Sequence, residues 1–264
     1  MIPIEDNNAL LAEVACAVQW AGQTLLTRFR TIPPPTTLAE LLGGIEANDA
    51  AVEAGLRDAL LAAVPGSQWA ADEEEEGPLP DGDWWVVDPA EGNVNHLHGR
   101  PGWAVTATLV RDGEPMLVVV DVPLTGDTYT AVVGRGAFLN GKPIKVSAKR
   151  ELSAAIIASG QASPGEPEVV RMAMIKSAAK LLDAALLVRL SVPSTVELID
   201  VATGKLDAFW QHGSVRAGLI GGALLVREAG GRVVNLTGER WTAASADFLA
   251  GPATLEPALL AVLS

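Results

Sequence analysis

The order in which hydrophobic periods change along the chain restricts its fold more than any other feature. Apolar residues recur every three or four positions over residues 7–29, at Leu11, Val14, Val18, Ala21, Leu25 and Phe29, which is the spacing of an amphipathic helix. A proline-rich break at residues 32–35 closes it. Val52, Leu56, Leu60 and Val64 predict a second helix that stops at Pro65 and Gly66. Past an acidic run at residues 72–76 the texture turns to short β-type runs at 84–87, 105–110, 116–122 and 128–133, which read as neighbouring strands. A helix-rich stretch at 166–186 follows. Strand-like residues 187–190 and 206–210 then bracket a helix at 195–202, and another helix at 219–229 ends on Gly230 and Gly231. Two helices, a sheet, then mixed elements predict a layered α/β sandwich in two subdomains, 1–148 and 149–264.

Composition narrows the function. With 264 residues, 49% of them hydrophobic, the chain has ample material for a packed core, which excludes a disordered or fibrous protein. A net charge of −13 repels phosphate backbones and anionic membranes. Basic partners or divalent cations fit better, with a small molecule as the expected substrate or ligand; nucleic acid and membrane are not expected. Cys16 has no second cysteine to pair with; its apolar neighbours predict a buried thiol, and a reducing cytoplasm is the expected location. The acidic start has no signal-peptide pattern, and no apolar run approaches the ~20 residues of a membrane span.

The segment Trp84-Trp85-Val86-Val87-Asp88-Pro89-Ala90-Glu91-Gly92-Asn93 carries the most chemistry. Its apolar residues deliver Asp88 to a strand end, Pro89 predicts a turn, and Glu91 returns a second carboxylate to the same small volume. Paired hard oxygens suit Mg²⁺, completed by water and substrate phosphate. The acidic run 72–76 is a second contributor, since crowded carboxylates repel one another until a cation neutralises them. Alone, each segment also fits an ordinary solvated acidic turn; together they point to a metal.

Other chemistries fit less well. Gly136, Gly141 and Lys142 imitate a phosphate-binding loop, but Pro143 stands where a hydroxyl residue would hold the metal, and Asn140-Gly141 marks a hairpin over residues 134–144. His96 and His98, in an expected loop, and His212 lack zinc-ligand spacing and read as structural. No Gly-x-Ser-x-Gly elbow is present. The seven tryptophans read as core and subdomain-contact residues, because no basic residues interleave with them.

Taken together, the acidic run, the strand ending in Asp88-Pro89, the hairpin at 134–141, Val201-Ala202-Thr203-Gly204 and Val226-Arg227-Glu228-Ala229-Gly230-Gly231 resemble the inositol monophosphatase family over nearly the whole chain. The resemblance implies an α/β/α/β/α sandwich, magnesium-dependent phosphate hydrolysis and a homodimer. It places metal ligands at Glu73, Asp88, the Ala90 carbonyl and Glu91. Asp49 falls where the family activates water, with Asn93 as its partner. Gly92, Asn93, the turn Val192, Pro193 and Ser194, Gln211 and Gly218 fall on the substrate side.

Three departures stand out. Glu91 replaces an aspartate, Asn93 replaces a threonine whose hydroxyl relays a proton, and Gly218 replaces the third carboxylate of the second metal. Gln211 also replaces a glutamate. Gly218, Gly221 and Gly222 fit either close helix packing or room for a bulkier ligand. Two functions are open on this footing, with one magnesium, two or none: a phosphomonoesterase with an altered site, or a scaffold repurposed for ligand binding or for a non-hydrolytic reaction such as cyclisation or elimination.

Overall fold

The first helix, α1 (Asn7–Arg28), turns Val14, Val18, Ala21 and Leu25 to one buried side. Cys16 sits two residues, or about 200° of helix rotation, from Val14. It is exposed, which corrects the expected buried thiol: the helical period outweighs the polarity of sequence neighbours. By length and composition α1 is also the one described helix apolar enough to cross a membrane, but its apolar stripe packs on a sheet and on α2. The computed structural model describes residues 7–70, 78–160, 165–213 and 216–264.

The second helix, α2 (Leu38–Ala63), starts well before the predicted apolar period, capped by the Thr37 hydroxyl, which accepts the N–H of Glu40. Its N-terminal half carries the exposed Leu38 and Leu42, so the period there was invisible. There follow β1 (Gln68–Trp69), β2 (Asp83–Glu91), the short α3 (Asn93–Leu97), β3 (Ala104–Arg111), β4 (Glu114–Val122), β5 (Asp127–Val132), β6 (Ala137–Leu139) and β7 (Lys142–Pro143). The chain continues with β8 (Ile156–Ser159), α4 (Glu168–Ala184), β9 (Leu187–Leu190), α5 (Ser194–Ala202), β10 (Ala208–His212), α6 (Arg216–Glu228), β11 (Arg232–Val234), β12 (Asp247–Gly251) and α7 (Glu256–Leu263).

Strands β1 to β7 form one sheet in chain order, parallel at β1–β2 and antiparallel thereafter. The second sheet has the order β11-β12-β10-β8-β9. Each sheet buries both faces, as the alternation along single strands shows. Trp85 and Val87 pack toward α1 and α2 while Val86 packs toward α6; Phe209 joins the same central core while Ala208 and Trp210 face α4 and α7. The layers are therefore α1/α2, first sheet, α5/α6, second sheet and α4/α7, the expected five-layer sandwich.

The central glycines of α6 act in packing. A Cβ on Gly222 would lie 2.6 Å from Leu198 Cβ of α5, and one on Gly221 would lie 2.7 Å from Thr108 Oγ1 of β3. These two positions let α6 lie close against α5 and the first sheet at once. Of the tryptophans, Trp20 departs from expectation: it is about half exposed, lying across Gly55 of α2. The hairpin β6–β7 forms as predicted.

Candidate active site

Along a regular strand Asp88 and Glu91, three residues apart, would face opposite sides of the sheet. Here Asp88 pairs with Thr106 and Glu91 with Ala104, so three steps on β2 are matched by two on β3. That is a β-bulge. The extra residue reverses the parity, and both carboxylates fall on one face within hydrogen-bonding reach of each other. The expected turn at Pro89 is corrected: Pro89 lies inside the bulge, where its missing N–H costs no ladder bond, and the strand runs on through Glu91.

The bulge is pinned locally. The N–H of Ala90 donates to Asp88 Oδ1 at 3.0 Å, and the N–H of Asp88 donates to Thr106 Oγ1 at 3.3 Å. Burial, and then the carboxylate of Glu91 beside it, push Asp88 well above the usual carboxylate range. Glu91 is itself buried. The hydroxyl of Thr195, in the first turn of α5, lies 2.7 Å from Glu91 Oε2 and 3.1 Å from the carbonyl of Gly218 on α6. The longer Glu91 side chain thus reaches the hydroxyl that contacts the backbone of Gly218, the position where the resemblance requires a third carboxylate.

Asp49 approaches from α2 and raises Asp88 further. Burial first, and then Glu53 one helical turn on, push its own pKa up to about 6. Asn93 donates from Nδ2 to Asp49 Oδ1 at 3.1 Å. Its orientation is set by a chain of bonds. Arg28 Nε, which can only donate, donates to Asn48 Oδ1 at 2.9 Å; Asn48 Nδ2 therefore donates to Asn93 Oδ1 at 2.7 Å and to His96 Nδ1 at 3.0 Å. His96 Nε2 carries the proton, donating to the carbonyl of Leu25 at 3.0 Å, and burial lowers its pKa. His96 and His98 lie on and just after α3 rather than in a loop, and His212 hydrogen-bonds Ser177.

The turn at Val192, Pro193 and Ser194 closes over the same region. Gly92, at φ 78°, caps α3; a Cβ there would stand 2.6 Å from the Gly102 carbonyl and 2.9 Å from Pro193 Cγ. Asn95 Nδ2 donates to the carbonyls of Gly102 and Val192 at 2.8 and 3.0 Å. Ser194 donates to Gln211 Oε1 at 2.9 Å. Asp49, Asp88, Ala90, Glu91, Gly92, Asn93, Val192, Pro193, Ser194, Gln211 and Gly218 are therefore linked into one neighbourhood. Glu73 lies outside the described residues. His96 is hydrogen-bonded and structural, as its sequence reading had it; the parts played by Arg28, Asn48 and Thr195 do not show in the sequence, since nothing in their spacing reveals contacts made across 20 to 104 residues of chain.

Among the described residues no group of three or more His, Cys, Asp or Glu side chains gathers to hold a metal. What remains is the Asp88–Glu91 pair flanking Ala90. Its forced proximity fits one hard cation, and Mg²⁺ commonly takes one or two carboxylates with water and phosphate oxygens.

A five-layer sandwich with paired carboxylates at a bulge in β2, next to the edge strand of the first sheet, defines a phosphatase-like class of α/β protein. The chain belongs to the inositol monophosphatase family, whose profile it matches over residues 7–264. It is 32% identical over 227 residues to the inositol-1-monophosphatase of Rhizobium meliloti, covering 85% of each chain. It is 33% identical over 184 residues to the Nus factor SuhB of Pseudomonas aeruginosa, covering 68% of this chain and 66% of that one. Among solved structures, inositol monophosphatase from Anabaena superposes with a TM-score of 0.81 at 26% identity, over 98% of this chain and 96% of the other. Magnesium dependence is general in this family.

The raised pKa of Asp49 has a measurable sign. A carboxylate held at about 6 rather than 3.8 binds its proton more tightly when folded, so its contribution to stability is complete below about pH 4 and is lost as pH rises through 6. In EDTA, Asp49→Asn should raise Tm relative to wild type by an amount that grows between pH 4 and 7 and then levels. Thermal scans giving a pH-independent difference would contradict this.

Proposed function

We propose that the protein is a magnesium-dependent phosphomonoesterase acting on a small phosphorylated metabolite other than inositol monophosphate, through a site with an altered second metal position. The observation that carries this reading is the convergence of Asp88 and Glu91 across the bulge, with Asp49 beside them. Asp88, Glu91, the carbonyl of Ala90 and Glu73 would hold magnesium. A metal there would neutralise charge on the phosphoryl oxygens and acidify bound water.

The remaining steps belong to side chains. Asp49, with a pKa near 6, is suited to accept a proton from the attacking water close to neutral pH. Asn93 holds the Asp49 carboxylate by donating to it; an amide cannot pass a proton along as a hydroxyl does, so the water must reach Asp49 directly. Gln211 commits Oε1 to Ser194 and offers N–H donors from Nε2. With Val192 and Pro193 it would favour a leaving group that presents hydrogen-bond acceptors.

A second reading is favoured by one feature: the amide of Asn93 occupies the proton-relay position and is bonded at both ends. On that reading the scaffold binds a ligand or runs a reaction that moves no proton from water. The partners we assign are small molecules and a second copy of the chain. Support for the latter comes from Val169, Met172 and Ile175 on α4 and Leu187 and Leu190 on the edge strand β9, all exposed apolar residues on adjoining elements. The unpaired, exposed Cys16 is compatible with a reducing cytoplasm.

Phosphate release from sugar, inositol and nucleoside monophosphates, measured with and without Mg²⁺, should show turnover on a substrate other than inositol monophosphate. No turnover on any of them, together with new activity in Glu91→Asp, Asn93→Thr, Gly218→Asp combined, would establish the second reading instead. Sedimentation velocity should give a dimer that Leu187→Glu dissociates; a monomeric wild type would refute the pairing.

A further inference from the structure

Beyond the carboxylate site, the junction of α1, α2 and α3 encloses a cavity of about 150 Å³ lined by Arg28, Arg30, Thr31, Asn48 and His96 among others. It is a cationic pocket in a chain of net charge −13. Among the described residues neither guanidinium forms an ion pair, whereas Arg111, Arg189, Arg232 and Arg240 each face a carboxylate.

The donors of the pocket are only partly used. Arg28 spends Nε on Asn48 Oδ1 at 2.9 Å, which leaves both terminal nitrogens without an acceptor among the described residues. Arg30 spends Nε and one terminal nitrogen on the single carbonyl of Gly99, at 3.0 and 2.8 Å, with its Cζ 5.0 Å from the centre of the Phe29 ring. The other polar walls are occupied: Asn48 and His96 use their polar side-chain atoms on one another, on Arg28, on Asn93 and on Leu25. The free hydrogen-bonding capacity is therefore that of donors and carries positive charge, the complement of an oxyanion.

The backbone at Arg30 is unusual as well. Arg30 has φ 60° just past the end of α1, a left-handed conformation that glycine adopts without steric cost and that a long side chain resists. Two bonds to the Gly99 carbonyl hold the Arg30 side chain at the pocket despite that backbone cost.

We propose that this cavity is an anion-binding subsite, taking a phosphate or carboxylate group through Arg28 and Arg30. It lies next to the reaction centre, since Asn48 of its wall precedes Asp49 on α2 and bonds Asn93. The anion comes from one of two sources, a second anionic group on the substrate or free phosphate; the first rests on the phosphomonoesterase reading and the binding itself does not.

The test uses inorganic phosphate and the full chain in EDTA, where no hydrolysis contributes. Phosphate should raise the Tm of the wild type in a saturable way. Arg30→Gly, which suits the left-handed backbone and so retains the fold, should weaken phosphate binding roughly tenfold, as loss of a charge-assisted hydrogen bond predicts. Arg28→Gln should do the same. No phosphate response in the wild type, or an unweakened response in either variant, overturns the subsite. Kinetics then assign the source: a KM raised by Arg30→Gly for a sugar bisphosphate but not for the monophosphate points to the substrate, and equal KM values for both point to free phosphate.

Discussion

The site depends on one extra residue in a strand. Without the bulge between Asp88 and Glu91 the two carboxylates would lie on opposite faces of the first sheet, one toward α1 and α2 and the other toward α6. With it they meet, and burial first and then the neighbouring Glu91 carboxylate raise the pKa of Asp88. The surrounding structure holds that unfavourable pair in place. Thr106 and Ala90 fix Asp88 from the backbone side, Thr195 holds Glu91 from α5, and the packing of α6 against α5 brings the Gly218 carbonyl to the same hydroxyl. A divalent cation bound there, as we propose, would turn this repulsion into attraction.

The positions at which the sequence resemblance implies departures share a common geometry. Glu91 and Gly218 meet at one hydroxyl, with Thr195 Oγ1 within hydrogen-bonding distance of Glu91 Oε2 and of the Gly218 carbonyl. The direction of the Asn93 amide is dictated from Arg28 through Asn48. That polar chain ties the orientation of Asp49's neighbour to the cationic cavity on the far side of Asn48, so the reaction centre and the proposed anion subsite share a wall.

Much of the architecture was legible because it rests on local periods. The apolar residues of α1 and the alternating runs of β2 to β5 announce their elements, and β9 appears at the expected residues 187–190. Errors arose where neighbours in sequence and neighbours in space diverge. Cys16 has apolar neighbours but lies off the stripe formed by Val14, Val18, Ala21 and Leu25. Pro89 signals a break and produces a bulge, because β3 continues alongside. The residues that hold Asn93 come from α1, α2 and α3, and no periodicity within any one of them reveals the contact.

The most direct measurement is calorimetric titration of Mg²⁺ into wild type and into Asp88→Asn. The convergence of Asp88 and Glu91 predicts saturable binding by the wild type, tighter at pH 8 than at pH 6 because the raised carboxylates must release protons first, and no such binding by the variant. Magnesium binding that Asp88→Asn leaves intact, or a wild type that binds none at either pH, would contradict it.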